Sequence, residues 1–226
     1  MGYQMTPEEL VRIEQREGWY WPFKDRSCWP WLQNEKDNPE LVAAYCSQRR
    51  TVIQAGGNVG FYVRPYAEMF ERVITFEPDR LNFQCLTMNV ENENVIKVQA
   101  CLGNQRNTVG LTTSRKNIGA YHVNEKGGLI PTLLIDDFNV QDCDLLHLDI
   151  EGFELFALQG AEETIKRCRP VIALEWMNHG EKYGAPDSKI EEFLELLGYK
   201  FCGEVYHDHV FKYAPIDACV PNNDPT

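Results

Sequence analysis

Residues 51–79 constrain the fold more than any other part of this chain, because they predict a parallel βαβ unit. The segment reads TVIQAGGNVGFYVRPYAEMFERVITFEPD: an apolar run, a glycine-rich turn, a helical stretch and a second apolar run. The second run ends at Glu77, 21 residues after Gly56. A glycine-rich turn and an acidic residue at this spacing are typical of folds that bind a ribose. The segment therefore predicts a nucleoside-containing cofactor; the alternative is an ordinary αβ connection.

The residues of this turn suit close contact with a ligand. Gly56, Gly57 and Gly60 allow the backbone to approach where a Cβ atom would collide. The carboxylate of Glu77 can accept hydrogen bonds from both ribose hydroxyls at once.

The chain beyond residue 50 alternates strands and helices, which predicts a doubly wound α/β sheet. Two final strands are too close in sequence for a helical crossover, so they should pair antiparallel. The predicted strands are Thr51–Ala55, Val73–Glu77, Val95–Cys101, Leu145–Ile150, Val171–Trp176, Tyr199–Glu204 and His209–Tyr213. The predicted helices are 58–69, 79–90, 154–168 and 188–198, and Pro65 should kink or delay the first. A capping box at Ser188 is expected to open the last helix, and Gly198 to end it in the left-handed conformation. A short β excursion is expected at 108–113 and 121–123.

Three segments are expected: an N-terminal arm (1–48), a catalytic-type domain (49–216) and a C-terminal tail (217–226). In the arm, a capping box at residues 6–9 predicts a helix that runs to Gly18. An aromatic cluster follows, with five Trp or Phe side chains and Tyr20 between residues 19 and 31. Its rings either staple the arm to the core or form a lid or a wall for a substrate.

The composition limits the partners. The chain has 22 Lys and Arg against 34 Asp and Glu, a formal net charge of −12, and its basic residues are scattered. Proteins that neutralise phosphates need basic clusters, so neither nucleic acid nor an anionic membrane is an expected partner. The eight cysteines show no CxxC spacing, and no apolar run approaches transmembrane length. We therefore expect a cytoplasmic protein with free thiols.

The fourth predicted strand carries three ionisable residues where a buried parallel strand should be apolar. Alternation would place His147, Asp149 and Glu151 on one face. For His147 the alternative is a satisfied core residue, and for Glu151 it is a cap on the next helix. Asp149, at the strand end beside the expected cleft, is the strongest functional candidate.

Other polar residues lie at the end of the fifth strand and around the turn between the last two strands. Glu175 ends the fifth strand with His179 shortly after, either as a buried structural pair or as a second wall of an acceptor site. His207 and His209 have no recognisable third ligand, so no metal site is predicted.

Four motifs together resemble the FkbM-type S-adenosylmethionine-dependent methyltransferases. They are QAGGNVG (54–60), TFEPD (75–79), LHLDIEGFE (146–154) and RPVIALEW (169–176). The resemblance spans about residues 52–176 and weakens toward 213. It implies a Rossmann-like, doubly wound sheet of seven mostly parallel strands with an antiparallel last strand.

The resemblance also implies roles for individual residues. The turn would hold the methionine end of S-adenosylmethionine, Glu77 its ribose, and residues after the third strand its adenine. The implied cofactor-binding residues are Gln54, Ala55, Gly56, Gly57, Asn58, Gly60, Glu77, Pro78, Cys101, Leu102 and Asp149. The chain departs from the family pattern at Gln54, where an acid is usual, at Gly57, where Ala is usual, and at His147, where Lys is common.

The expected function is O-methylation of a small-molecule or saccharide hydroxyl, which follows from the resemblance alone. A hydroxyl acceptor requires a base, and the candidates are Asp149, Glu151, Glu175, His147 and His179. One alternative is an NAD-type oxidoreductase, although the turn is GGNxG rather than GxGxxG. The other is a non-catalytic cofactor-binding module, which the changes at Gln54 and His147 would suit.

Overall fold

The computed structural model describes residues 6–114, 116–124 and 126–214. Its strands are β1 (Ile13–Arg16), β2 (Trp19–Pro22), β3 (Thr51–Ala55), β4 (Arg72–Phe76), β5 (Val95–Val98), β6 (Cys101–Leu102), β7 (Asn107–Thr112), β8 (His122–Asn124), β9 (Ile130–Leu133), β10 (Cys143–Leu148), β11 (Val171–Glu175), β12 (Tyr199–Val205) and β13 (Asp208–Tyr213). Its α-helices are α1 (Pro7–Leu10), α2 (Cys28–Asn34), α3 (Asn38–Ala43), α4 (Val63–Met69), α5 (Arg80–Asn89), α6 (Glu154–Gln159), α7 (Glu162–Cys168) and α8 (Asp187–Leu196). Single 3-10 turns cover Ile135–Phe138 and His179–Tyr183.

The central sheet has seven strands in the order β12-β13-β11-β10-β3-β4-β5. Strands β11, β10, β3, β4 and β5 are parallel to their neighbours in that run. Strand β13 is antiparallel to both β11 and β12. The predicted doubly wound, mostly parallel sheet with an antiparallel last strand is thus confirmed.

Both faces of the sheet are covered because its central strands are apolar on both sides. Val52, Val73 and Leu145 share one face with residues of α3, α4 and α5. The residue that follows each of these in its strand points to the other face and packs against α6, α7 and α8. These two cores hold the parallel strands in a fixed position, so their carboxyl ends form a rigid edge.

The switch point of the sheet lies between β3 and β10. From β3 the chain winds outward through β4 and β5, and it then returns to β10 and winds the other way. Ala55 and Leu148 are partners in register, so both strands end at the same level. Open α/β sheets bind ligands in the crevice formed at such a point.

The predicted helix to Gly18 is wrong. Thr6 does form the capping box with Glu9, but α1 ends at Leu10. Strands β1 and β2 then form an antiparallel hairpin. Glu17 and Gly18 have φ values of 47° and 86°, the positive values that a two-residue hairpin turn of type I′ needs.

The predicted helix over 154–168 is two helices. The carbonyl of Gly160 accepts a hydrogen bond from the Asp136 N–H at 3.0 Å, which interrupts the helix. The Asp136 carboxylate accepts from the Thr164 N–H at 2.8 Å and the Glu163 N–H at 3.1 Å, which starts α7. A residue 26 positions before Glu162 therefore sets the break, and helical periodicity could not reveal it.

The β excursion is larger than predicted. Strands β7 and β8 match it approximately, but they join β6 and β9 in a second, four-stranded sheet. The third main strand ends at Val98 instead of Cys101, and Cys101 pairs with Thr132 in β9. Strand β9 was not predicted, because Pro131 at its centre argues against a strand; Pro131 lies there next to β7.

Two helix starts were only partly predicted. Helix α4 begins at Val63, with Pro65 in its first turn, so the predicted delay is confirmed. Helix α8 begins at Asp187 without a side-chain cap, so the predicted capping box at Ser188 is wrong. Gly198, with φ 82°, ends that helix in the left-handed conformation as predicted.

None of the helices in the described part of the chain combines the length and the apolar character that crossing a membrane requires. The seven cysteines within that part are free thiols. The predicted tail, 217–226, lies outside the described residues.

Candidate functional site

A cavity of about 390 Å³ opens at the carboxyl ends of β3, β4, β10 and β11. This volume lies within the usual range for small-molecule sites. Helix α2 of the arm and the segment 117–121 form its opposite wall. The cavity therefore occupies the switch point of the sheet.

The glycine-rich turn after β3 brings β3 and β10 together. Gly56 has φ 85°, and a Cβ atom there would lie 1.8 Å from the Asp149 carbonyl oxygen. A Cβ atom at Gly57 would lie 2.7 Å from Thr75 Oγ1, and one at Gly60 would lie 2.7 Å from Val90. Gly56 also lines the cavity, whereas Gly57 and Gly60 pack the turn against β4 and α5.

Glu77 lies at the end of β4 with only 5% of its surface exposed. Its Oε2 accepts a hydrogen bond from the Asn58 N–H at 2.7 Å, and its Oε1 accepts from the Asp79 N–H at 2.8 Å. A carboxylate has about four lone-pair positions, so acceptor capacity remains on the cavity side. Burial raises the pKa of Glu77 to about 8.

Gln54 lies behind the turn instead of inside the cavity. It is fully buried, and its Oε1 accepts from the Thr75 hydroxyl at 2.6 Å. Its Nε2 donates to the carbonyls of Ala55 and Gly56, both at 3.1 Å. An uncharged amide can make these donor and acceptor contacts together, which a carboxylate could not.

The wall beyond Glu77 contains buried polar atoms without partners. Pro78, Cys101 and Leu102 line this part. Asn58 Oδ1, Asn82 Oδ1 and the Tyr121 hydroxyl are buried there with no hydrogen bond among the described residues. Unsatisfied buried polar atoms are costly, and polar groups of a nucleoside would satisfy them. Asn82 was not predicted, although its position one turn after Asp79 places it on the same side.

Four titratable side chains form the other end of the cavity. Glu151 and Glu175 each direct Oε2 at His179 Nδ1, at 3.2 Å and 3.4 Å. Asp149 lies beside them at the end of β10. Burial, followed by the charge of Glu151, raises the pKa of Asp149 well above its usual range, and burial followed by the charge of Asp149 does the same for Glu175.

Strand β10 ends at Leu148, two residues earlier than predicted, so Asp149 and Glu151 lie on the loop. Glu151, with φ 58°, does not cap the following helix. Instead Glu154 Oε1 accepts from the N–H groups of Ile150 at 2.9 Å and Gly152 at 3.2 Å, which fixes the loop. Burial raises the pKa of Glu151 to about 7.

His147 is enclosed in the core behind the cavity. Its Nδ1 lies 2.7 Å from the Tyr66 hydroxyl and its Nε2 lies 2.9 Å from Asp208 Oδ2. Asn38 also donates to Asp208, at 2.8 Å. The structure thus gives both ring nitrogens of His147 a partner and does not bring this residue into the cavity.

The arm contributes both a staple and a cavity wall. Trp21 is fully buried and stacks edge-on against Trp29. Trp31 is half exposed, lines the cavity and stacks on His207 with ring centroids 5.0 Å apart. Glu35, which was not predicted, accepts from the Tyr62 hydroxyl at 3.1 Å inside the same wall. The two interpretations of the aromatic cluster therefore apply to different rings.

Asp25 ties the arm to the segment that covers the cavity, and sequence reasoning missed it. Its fully buried carboxylate accepts from the Cys28 N–H at 3.1 Å and the Trp21 indole N–H at 3.0 Å. It also accepts from the Ile118 N–H at 3.4 Å. No local signal identified it, because Asp25 lies two residues before the N-cap Ser27 instead of at the cap position.

Comparisons with solved structures give distant matches. The FkbM methyltransferase of Methylobacillus flagellatus KT is 19% identical at a TM-score of 0.49, over 73% of this chain and 44% of that one. This chain therefore spans less than half of that protein. A SAM-dependent methyltransferase from Aquifex aeolicus is 17% identical (TM-score 0.47; 80% and 91% covered). Magnesium protoporphyrin IX methyltransferase from Synechocystis PCC 6803, solved with bound SAM, is 10% identical (TM-score 0.45; 80% and 77% covered).

Sequence comparison assigns the family. No curated protein sequence shows a significant match to this chain. The sequence model of the "Methyltransferase FkbM domain" matches residues 54–201, which is well over half of the 226 residues. The match begins at Gln54 in β3 and includes Glu77 and the loop after β10. The chain therefore belongs to the FkbM family of S-adenosylmethionine-dependent methyltransferases.

Proposed function

We propose that this protein transfers a methyl group from S-adenosylmethionine to a hydroxyl of a small molecule or a saccharide. The observation that carries the proposal is the division of one cavity into two parts. Glu77 lines one part together with Asn82 Oδ1 and the Tyr121 hydroxyl, which have no hydrogen bond among the described residues, and acidic side chains line the other part. The first part suits an adenosyl group and the second an acceptor.

The donor part fits the cofactor by the chemistry of its side chains. Glu77 would accept hydrogen bonds from the ribose hydroxyls, while Cys101 and Leu102 would contact the adenine. The turn from Ala55 to Asn58 would hold the methionine end. When bound, S-adenosylmethionine supplies a methyl group on a sulfonium, which is already activated for transfer.

In the acceptor part, the residues would orient the hydroxyl and take its proton. Asp149, Glu151 and Glu175 are the candidate bases, and a base with a pKa near the working pH is the most effective. One of these carboxylates would take the proton of the acceptor hydroxyl. The sulfonium of the cofactor would supply the methyl group and keep the electron pair of the broken carbon–sulfur bond. Alignment and exclusion of water by the arm would supply most of the rate.

The O-specificity and the acceptor class extend the family assignment. Trp31 offers an exposed ring at the cavity mouth, and polar side chains lie next to it. An aromatic ring beside hydrogen-bonding groups suits a saccharide or another polyol. We also propose a cytoplasmic location without nucleic acid as a partner, in line with the net charge of −12.

The two alternatives are weaker. A nicotinamide-dependent oxidoreductase loses its support, because the matched family consists of methyltransferases. A non-catalytic module was favoured by Gln54 and His147. Gln54 nevertheless stabilises the turn by a hydrogen bond to its backbone, and both ring nitrogens of the buried His147 have partners.

The test is methyl transfer from a labelled donor to a panel of polyols and glycans. The wild-type protein and Glu68→Ala, a change at an exposed site on α4, should label the same acceptor.

Glu77→Ala should bind the product S-adenosylhomocysteine at least about tenfold more weakly, since hydrogen bonds to a charged group contribute about 1.5–3 kcal/mol. Unchanged affinity in Glu77→Ala would contradict the cofactor site, and cofactor binding without transfer to any acceptor would favour the non-catalytic module.

A further inference from the structure

We propose that Glu151, Glu175 and His179 together bind one divalent first-row transition metal ion in the acceptor part of the cavity. The role of this ion rests on the proposed function, whereas its binding does not. The set combines two carboxylates and one imidazole, a mixture that suits Mn²⁺ or Zn²⁺ better than Mg²⁺ or Ca²⁺.

The spacing of the three side chains fits one ion. His179 Nδ1 lies 3.2 Å from Glu151 Oε2 and 3.4 Å from Glu175 Oε2, and one ligand atom of each residue lies within 4.8 Å of the others. Ligands about 2.1 Å from one metal ion are themselves about 3.0–3.4 Å apart at neighbouring positions of an octahedron or a tetrahedron. Both distances from His179 therefore fall within the range for two ligands of one ion.

His179 Nδ1 is a buried atom that makes no hydrogen bond among the described residues. The two carboxylate oxygens are close to it, but the directions do not suit a hydrogen bond from the ring. An imidazole nitrogen that points between two acceptors is arranged as a metal ligand is, with its lone pair toward a shared centre. The nitrogen lies within ion-pair distance of both carboxylates, so the three ligand atoms converge on one point.

The scaffold holds the three residues in place. A Cβ atom at Gly152 would lie 2.4 Å from the backbone of His179, so the two segments touch directly. Glu154 ties the loop from Ile150 to Gly152, and Glu175 ends a central strand. Sites whose ligands stand on rigid, closely packed backbone bind metal with little reorganisation.

The acidic lining of the cavity also suits a cation. Six carboxylate side chains line it, and within the described residues no Lys or Arg does. They are Glu35, Glu77, Asp149, Glu151, Glu175 and Asp208. Lys182 does not line the cavity, but its charge acts on Glu151 and Glu175 and offsets part of theirs. A bound divalent ion would offset this charge and lower the pKa of an acceptor hydroxyl that it coordinates.

The test titrates metal-free protein with MnCl₂ and follows the electron paramagnetic resonance signal of free Mn²⁺, without donor or acceptor. We expect one ion per chain, and binding at least about tenfold weaker in Glu151→Gln, Glu175→Gln and His179→Asn. Glu181→Gln, at an exposed position in the same 3-10 turn, should bind like wild type. Nitrogen modulation in the spin-echo spectrum should be present in wild type and lost in His179→Asn. A parallel calorimetric titration uses ZnCl₂.

Melting curves and S-adenosylhomocysteine affinity show which variants are folded, because Glu77 lies in the other part of the cavity. Wild-type protein that takes up neither ion in a one-to-one ratio would overturn the proposal. So would folded Glu151→Gln and Glu175→Gln variants that bind the ion as tightly as wild type. Wild-type protein that binds the metal ion but does not bind S-adenosylhomocysteine would instead contradict the proposed function alone.

Discussion

At the scale of single residues, the proposed nucleoside site depends most on Glu77. Its carboxylate is nearly buried, and two backbone N–H groups fix its position. The position of Glu77 was predictable, because it depends on the spacing from Gly56 within one βαβ unit. The other polar residues in this part of the cavity, Asn82 and Tyr121, were less predictable, because they come from α5 and from the segment over the cavity.

Affinity for S-adenosylhomocysteine should rise with pH. Burial raises the pKa of Glu77 to about 8 in the free protein. Ribose hydroxyls donate to the ionised carboxylate, so binding is favoured above this pKa and weakened below it. We expect about tenfold tighter binding at about pH 9 than at about pH 6.5 by isothermal titration calorimetry. Glu77→Gln should lose this dependence, and the same slope in that variant would contradict the assignment.

Gly56→Ala should destabilise the protein strongly. The new Cβ atom would lie 1.8 Å from the Asp149 carbonyl oxygen, in addition to the strain of φ 85°. Gly184→Ala is the matched control, because Gly184 has φ 66° with no atom within 4 Å of the new Cβ position. In urea unfolding, the control should lose about 1 kcal/mol and Gly56→Ala at least about 2 kcal/mol more. Equal losses would show that the turn and β10 are not in contact.

At the scale of elements, local patterns predicted the parallel strands well. Strands β3, β4, β10 and β11 were placed to within two residues, because buried apolar runs bounded by turns identify them. The arm and the helix after β10 were predicted less well. A positive-φ turn at Glu17 made a hairpin, and Asp136 divided a helix from a distance. Both outcomes depend on contacts that helical periodicity does not contain.

Removal of the Asp25 carboxylate should loosen both the arm and the segment 117–121. Asp25→Ala leaves buried N–H groups of Trp21, Cys28 and Ile118 without their acceptor. We expect a loss of about 3 kcal/mol in unfolding free energy and faster hydrogen exchange at residues 21–32 and 117–121. Asp37→Ala, at an exposed position that makes no side-chain cap, should change stability by less than about 0.5 kcal/mol. Unchanged exchange in Asp25→Ala would contradict this connection.

At the scale of the whole molecule, the site is assembled from three distant parts of the chain. The strand ends supply Glu77, Asp149 and Glu175, the arm supplies Trp31, and the final hairpin supplies His207. The strand-end residues were predictable, because the carboxyl edge of a parallel sheet is where ligands bind. A wall formed by the arm was only one of two interpretations, and the hairpin residues were not assigned to the site, because only the folded chain brings them to that edge.

The most direct test of the account is a crystal structure of the protein with S-adenosylhomocysteine. We expect the ribose hydroxyls within about 3.2 Å of the Glu77 carboxylate oxygens. The adenine should lie against Cys101 and Leu102, and the sulfur should face the part of the cavity that contains Asp149 and Glu175. An adenosyl group bound elsewhere, with Glu77 in contact only with the N–H groups of Asn58 and Asp79, would contradict the central claim.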